Sequence, residues 1–527
     1  SLGILSDYAI SSNLLKRSLD SANVEFIGKL IPGFKKEDRI ARTRGEKEVV
    51  LSDWSNTMLL RIPENGSVDK LIKRLEQLPG VAYAEVNGLS ENHMMKTNKP
   101  FNEKTENNEI TPMFPVTPND EHFNRQWALK NTGSSVQGSG APDADIDADQ
   151  AWNITTGSSS VKVGVIGQGI DRDHEDLSGK VSGDDWGRSG HETAIAGIIA
   201  AKGNNTDGIA GIAYNVQLVD AYTWNGSLTD ISNAIIGASN NGAQIMNYSY
   251  GLNNGHSNTV RRAIRDVYKL DRVFITSMGN DNSSSKKYPA AYKDGVISVG
   301  ATTNTDARAS YSNKGNWIDV AAPGGVDQPG TGKAIYSTVY SGSAVNGGGY
   351  GDQYEENFSY YTIAKTSVAA PHVTGIAALL LSENSILYND DIENIIEISA
   401  EDKYTSGFDN LYGHGRVNAY EALKLLQSPY VMNYGSTTGG SFYSQSGDFP
   451  MRTYDVSGLS SGLQYYVKRV EVRKNISFSY LDEPNVWCRG VESVGWTKEE
   501  NHGGAKRNYG QGFCEVVPGT LTNTSAT

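Results

Sequence analysis

Between Lys365 and Leu381 the chain reads Lys-Thr-Ser-Val-Ala-Ala-Pro-His-Val-Thr-Gly-Ile-Ala-Ala-Leu-Leu-Leu, with no Asp, Glu, Lys or Arg from Ser367 onward. Such a run predicts a helix surrounded by protein on every side. Ala369, Ala370, Gly375, Ala377 and Ala378 are small enough to let neighbouring backbones approach. Pro371 is tolerated only within about the first turn, where its missing N–H is not needed. That places Ser367 at the helix N-terminus, where unpaired N–H groups and the macrodipole favour negative charge. Ser367 there is either an ordinary N-cap or a hydroxyl poised as a nucleophile.

A helix buried all round needs layers of structure around it, and 527 residues supply them. At about 150 residues per domain the chain makes roughly three. Residues 24–87 read as a small α+β unit. Strands fall at Val24–Ile31, Thr57–Ile62 and Val81–Val86. Ser67 caps a helix with apolar positions Val68, Leu71, Ile72, Leu75 and Leu78, stopped by Pro79-Gly80. Residues 88–118 are polar and interrupted by Pro and Asn, as in a protease-accessible linker. Val161–Ile166 is a buried parallel strand by composition, ended by Gly167-Gln168-Gly169. The strands and helices that follow alternate, which predicts an α/β, doubly wound and mostly parallel sheet with its site at the strands' carboxyl ends. Residues 428–527 change to alternating patterns such as Val470, Val472, Ile476 and Phe478, the mark of a small β-rich domain. The expected organisation is therefore 1–87 (core 24–87), 88–118, 119–427 and 428–527.

The net charge of −13 argues against nucleic acid or an anionic membrane as partner. No apolar run approaches the roughly 20 residues that span a bilayer, so a soluble chain is expected. No complete signal peptide is visible at Ser1, so any such segment has been removed or was never present. Cys488 and Cys514 are the two cysteines. They read as one disulfide of a secreted protein or as two buried thiols, with the disulfide the expectation.

The segment Thr366-Ser367-Val368-Ala369-Ala370-Pro371-His372-Val373-Thr374-Gly375 resembles the nucleophile motif of subtilisin-like serine proteases, with Lys365 where that family has Gly. Gly190-His191-Glu192-Thr193-Ala194-Ile195-Ala196-Gly197 is similar to the family's general-base helix. Here Glu192 replaces a Gly and Ala194 a second His. Ser277-Met278-Gly279-Asn280 resembles the oxyanion strand end, and Asn247-Tyr248-Ser249-Tyr250-Gly251 the substrate-pairing strand. The resemblance covers about residues 119–427. It implies a serine endopeptidase working through an acyl-enzyme, with Ser367 as nucleophile, His191 as base and Asn280 as oxyanion donor. Ser249, Tyr250, Gly251, Ser277, Met278 and Gly279 would contact substrate, with Tyr250 and Met278 placed to narrow a pocket. The 24–87 unit, by its position, resembles the inhibitory, fold-assisting propeptide, so the chain's partners would be protein or peptide substrates and its own propeptide. No cofactor is required. Asp176 and Asn205 match positions that bind a structural calcium in many members of that family and are hard oxygen donors of the kind Ca²⁺ takes, so the segment is either a calcium site or a plain polar surface loop.

One position departs from the family. Val163-Gly164-Val165-Ile166-Gly167-Gln168-Gly169-Ile170-Asp171 resembles the strand that ends in the triad Asp, but the Asp position is Gly167. Removing that Asp in subtilisin costs about 3 × 10⁴ in kcat, so strongly reduced activity is expected, with rescue by Gly167→Asp. The alternatives are a pseudoprotease that binds peptide without cleaving it, or a substitute carboxylate such as Asp171, Asp184 or Asp185. Lys365 and Glu192, each replacing Gly beside a catalytic position, form a possible ion pair.

Overall fold

The computed structural model describes strand Leu2–Ser6, residues Leu15 and Leu19, residues 24–92 with short gaps, and most of 117–427 apart from 341–358. Beyond 427 it describes four short strands. The chain divides into two compact units, Ser1–Lys424 and Leu425–Thr527.

The first unit begins with a four-stranded antiparallel sheet. Its strands are β1 (Leu2–Ser6), β2 (Glu25–Lys29), β3 (Met58–Arg61) and β4 (Tyr83–Val86), in the order β2-β3-β1-β4. The helix α1 (Val68–Glu76) starts where Ser67 Oγ accepts the Lys70 N–H. Its buried Leu71 and Leu75 join Leu15, Met58, Leu60 and Ile62 in one apolar cluster. The central strand β1 lies outside the span that periodicity marked, because five residues so near the chain end carry little pattern of their own.

Next come β5 (Ser90–Asn92), β6 (Lys162–Gly167), β7 (Val181–Gly183), α2 (Gly190–Ala200), β8 (Gln217–Tyr222) and α3 (Leu228–Asn240). They are followed by β9 (Ile245–Tyr248), β10 (Tyr250–Leu252), α4 (Asn258–Lys269), β11 (Val273–Ser277), β12 (Ile297–Thr302) and β13 (Val320–Pro323). Seven strands form a parallel sheet in the order β13-β12-β11-β9-β6-β8-β7. Strand order reverses around β6: β8 lies on one side and β9 on the other. The crevice at the carboxyl end of such a strand is where open α/β sheets bind ligands, and that end is Gly167.

The hairpin β14 (Ile335–Thr338) and β15 (Tyr360–Ile363) leads into α5 (Thr366–Glu383). As its composition predicts, α5 is buried from Thr366 to Leu381, and it packs against α2, β9, β11, β12 and β13. Pro371 sits one turn deeper than expected, at the sixth residue of the helix. Its missing N–H would have bonded the carbonyl of Ser367, four residues back. The Ser249 hydroxyl donates to that carbonyl instead, at 2.9 Å. A side chain thus replaces the lost backbone bond, and the proline is accommodated.

The second unit shows β16 (Glu471–Lys474) paired with β19 (Gly510–Phe513), and β17 (Val486–Arg489) with β18 (Trp496–Glu499), all antiparallel. This fits the β-rich expectation. The Cys488–Cys514 pairing lies outside the described residues.

Candidate active site

Two helices that pack on each other carry His191 and Ser367 near their N-termini. His191 is the second residue of α2, whose Ser189 cap accepts the His191 N–H at 3.1 Å. Ser367 is the second residue of α5, which packs on α2. Both side chains are fully buried, and Ser367 Oγ makes no hydrogen bond. A polar chain supports the serine backbone: Thr374 Oγ1 donates to Asn247 Oδ1 at 3.0 Å, Asn247 Nδ2 to Ser249 Oγ at 2.9 Å, and Ser249 Oγ to the Ser367 carbonyl.

Asn280 is fastened to the residue before Ser367. Its Oδ1 accepts the Thr366 N–H at 2.9 Å and the Thr366 hydroxyl at 2.8 Å. Those bonds fix the orientation of the amide. Gly279, at φ +94°, makes the turn between β11 and Asn280 in the left-handed region. A side chain there would also meet Asn313 Nδ2 at 2.5 Å. Ser277 and Met278 are buried beside it, and Met278 packs on Ala290, Trp317 and Ile318.

Strand β10 carries Tyr250 and Gly251, and β5 pairs with it antiparallel: Tyr250 opposite Asn92, Gly251 opposite Glu91, Leu252 opposite Ser90. An edge that takes an extended segment this way recognises it through main-chain hydrogen bonds. The Tyr250 side chain turns towards the imidazole. Its ring lies edge-on to His191, centroids 4.8 Å apart, and its hydroxyl donates to Glu192 Oε1 at 2.5 Å.

The carboxylate on the imidazole is Glu192. His191 Nδ1 and Glu192 Oε1 are 2.5 Å apart, both side chains fully buried. Burial alone would raise the Glu192 carboxyl; the His191 charge and hydrogen bonds from His191, Ser189 and Tyr250 outweigh it and hold the group below the ordinary range. Gly167 is the space this side chain fills, since an added Cβ at Gly167 would lie 2.5 Å from Glu192 Cδ.

The expected ion pair between Lys365 and Glu192 is therefore not formed. Lys365 Nζ instead meets Asp327 Oδ2 at 2.8 Å and lies 4.4 Å from the centre of the Tyr311 ring. The three carboxylates named as substitutes are engaged elsewhere: Asp171 with Arg188, Asp184 with the Tyr222 N–H and Asp185 with Arg172. Sequence reasoning gave Glu192 no orienting part, although two departures pointed to it. A carboxylate is lost at 167 and another appears beside the base in a helix with no other charge.

Asp176 is buried, and Oδ2 accepts the Ile209 N–H and the Tyr360 hydroxyl, both at 3.0 Å. Burial raises its carboxyl to about 6, against the Ile209 N–H that holds it down. Asp176 Oδ1 has no hydrogen-bond partner, whereas Asn205 Oδ1 accepts the Asp207 N–H. Calcium takes six to eight oxygens. Of the two side chains, Asp176 Oδ1 is the oxygen left open to such an ion.

A parallel seven-stranded sheet with a buried helix carrying Ser367 and a second helix carrying His191 packed on it is the subtilisin-type fold. The Subtilase family profile matches residues 158–415, and the Fervidolysin N-terminal prodomain profile matches residues 24–87. The thermophilic serine proteinase of Bacillus sp. (strain AK1) is 34% identical over 372 residues, covering 68% of this chain and 76% of its own length. Thermitase of Thermoactinomyces vulgaris is 32% identical, covering 58% of this chain and 99% of its own. Fervidolysin of Fervidobacterium pennivorans, described as a keratinolytic enzyme related to subtilisin, superposes with a TM-score of 0.58 at 23% identity over 80% of this chain and 60% of its own, a likeness of fold. The chain belongs to the subtilase family, with an N-terminal prodomain.

Proposed function

We propose that the chain is a serine endopeptidase that cleaves peptide bonds in proteins through an acyl-enzyme. Ser367 Oγ attacks the scissile carbonyl, His191 takes the hydroxyl proton and later returns it to the leaving amine, and Asn280 Nδ2 donates to the oxyanion. Ser249–Gly251 and Ser277–Gly279 line the bound peptide. The reading is supported by the segment joining β9 to β10, where Ser249 Oγ bonds the Ser367 carbonyl and Tyr250 lies against the His191 ring, and by Asn280 bonded to Thr366. It requires no cofactor, and the fit at Asp176 and Asn205 leaves calcium outside the mechanism.

The prodomain is proposed as the chain's own inhibitor, with β5 occupying the β10 edge where a substrate would pair. The boundaries proposed are 1–87, 88–118, 119–427 and 428–527, with Ser90–Asn92 as the inhibitory strand. The protein is proposed to act outside the cytoplasm. Among the described residues no helix is long and apolar enough to cross a membrane.

The second reading, a pseudoprotease that holds peptide without cutting, is favoured by Gly167 at the triad Asp position. Labelling with a fluorophosphonate probe and casein turnover separate the two. Labelling that vanishes in Ser367→Ala, together with turnover, supports the endopeptidase. An unlabelled, inert chain that still binds peptide supports the pseudoprotease.

A further inference from the structure

Glu192 follows His191 directly on a helix, and side chains one residue apart on a helix do not face each other. Their 2.5 Å contact is therefore not automatic. Three features turn the carboxylate back towards the imidazole. Both residues lie in the first turn of α2, where the backbone is capped by Ser189. Gly167 leaves open the volume that a side chain at the end of β6 would fill. The Tyr250 hydroxyl, held beside the ring, donates to the same Oε1 that His191 meets.

We propose that Glu192 is the positioning residue for His191, doing from the base's own helix what the family's strand-end carboxylate does, and that Gly167 is the vacancy which lets it. This rests on the endopeptidase reading above and deepens it. A carboxylate accepts only, so the proton on this side of the ring is Nδ1–H, donated to Glu192, and the Nε2 lone pair is left to act as base. When Ser367 Oγ bonds to the scissile carbon, its proton passes to Nε2. Glu192 stays ionised, faces the imidazolium and takes no proton. Nε2–H is then given to the leaving nitrogen as the C–N bond breaks. Against burial, which alone would raise it, the same His191, Ser189 and Tyr250 contacts hold the Glu192 carboxyl below the ordinary range.

The two positions are consequently exchangeable only together. Gly167→Asp alone drives a Cβ into Glu192 and sets two carboxylates against one imidazole. It is expected to lower activity, the reverse of the rescue that the family pattern suggests. The test measures kcat and KM of the full chain on a chromogenic peptide for the parent, Glu192→Gln, Gly167→Asp and the double variant Gly167→Asp/Glu192→Gly. Glu192→Gln should lower kcat by about 10⁴, as the Asp→Asn change does in a serine-protease triad, with KM little changed and activity recovering as pH rises. The double variant, which restores the family's Asp and Gly together, should regain most of the turnover that either single change loses, whereas the kcat loss in Glu192→Gln at unchanged KM is what a merely structural role of Glu192 would not produce.

A second readout needs no turnover. The proton spectrum of Ser367→Ala should show a strongly downfield His191 Nδ1–H resonance that disappears in Ser367→Ala/Glu192→Gln. Parent-like kcat in Glu192→Gln, rescue by Gly167→Asp alone, or no downfield proton overturns the assignment while leaving the protease reading intact. An unlabelled parent that also shows the downfield proton overturns the protease reading and leaves the His191–Glu192 pairing standing.

Discussion

Trp54 of the prodomain donates its indole N–H to Asp266 Oδ2 on α4 at 2.8 Å, a fully enclosed bond between residues 212 positions apart. Asp266 Oδ1 takes the Ser52 N–H and hydroxyl, and the Arg262 guanidinium lies 4.4 Å over the indole. Nearby, Glu85 accepts the Asn258 and Thr259 N–H groups and the Ser257 hydroxyl, closing the α4 N-terminus from the prodomain side. The prodomain is anchored on α4 by polar contacts at both ends.

Trp54→Phe keeps most of the ring but leaves a buried carboxylate oxygen without its donor. A lost hydrogen bond to a charged group costs about 1.5–3 kcal/mol. Amide exchange of β1–β4 in a Ser367→Ala background should then accelerate roughly 10- to 100-fold. Unchanged protection would show that the indole bond does not hold the prodomain.

Lys365, at φ +125° and ψ 171°, has a backbone conformation suited to Gly, just before the nucleophile helix. Such strain costs about 1–3 kcal/mol. Lys365→Ala keeps the strain and loses the Asp327 and Tyr311 contacts, whereas Lys365→Gly loses the contacts but sheds the strain. Urea unfolding in the Ser367→Ala background should find the Gly variant more stable than the Ala variant by about 1–3 kcal/mol. Equal stabilities would remove the argument.

Asn280→Ala should lower kcat by about 10²–10³ with KM little changed, the size of effect measured for subtilisin's oxyanion amide. Steady-state kinetics on a chromogenic peptide decides it. A parent-like kcat would place the oxyanion donor elsewhere.

Asp220 lies buried on β8, where burial pushes its carboxyl up to about 8 against the Ile170 N–H that holds it down, with the Glu192 charge adding to the rise. In the unfolded chain it ionises near its ordinary value of 3.8. Between those two values the folded state binds more proton than the unfolded one, so this group's contribution to stability falls as pH rises. Asp220→Asn removes the titration. Its Tm relative to the parent should become steadily more favourable from about pH 5 to pH 8. A Tm difference independent of pH would refute the shift.

Much of this was legible in the sequence, for physical reasons that differ between elements. The α5 run announced its own burial because nothing charged interrupts it, and α1 announced its face through a regular stripe above Ser67. Ser367, His191 and Asn280 were readable because each sits at the end of a helix or strand with a distinctive local sequence. The relation between Gly167 and Glu192 was not readable in that way. The two stand 25 positions apart (192 − 167), and only folding shows that one vacates the volume the other enters. The partner of Lys365 was hidden for the same reason: Asp327 lies on a different loop, and proximity in the motif suggested Glu192 instead. The depth of Pro371 depended on a hydroxyl from β9's far end, which no helix rule anticipates.

Strand β5 reaches β10 as part of the same polymer. A competitor joined to its target acts at an effective concentration in the millimolar range for short flexible tethers. Dilute foreign peptide therefore meets an edge already spoken for until the connection is cut. The onset of turnover should then follow a unimolecular clock, with a lag whose duration does not change when the protein is diluted.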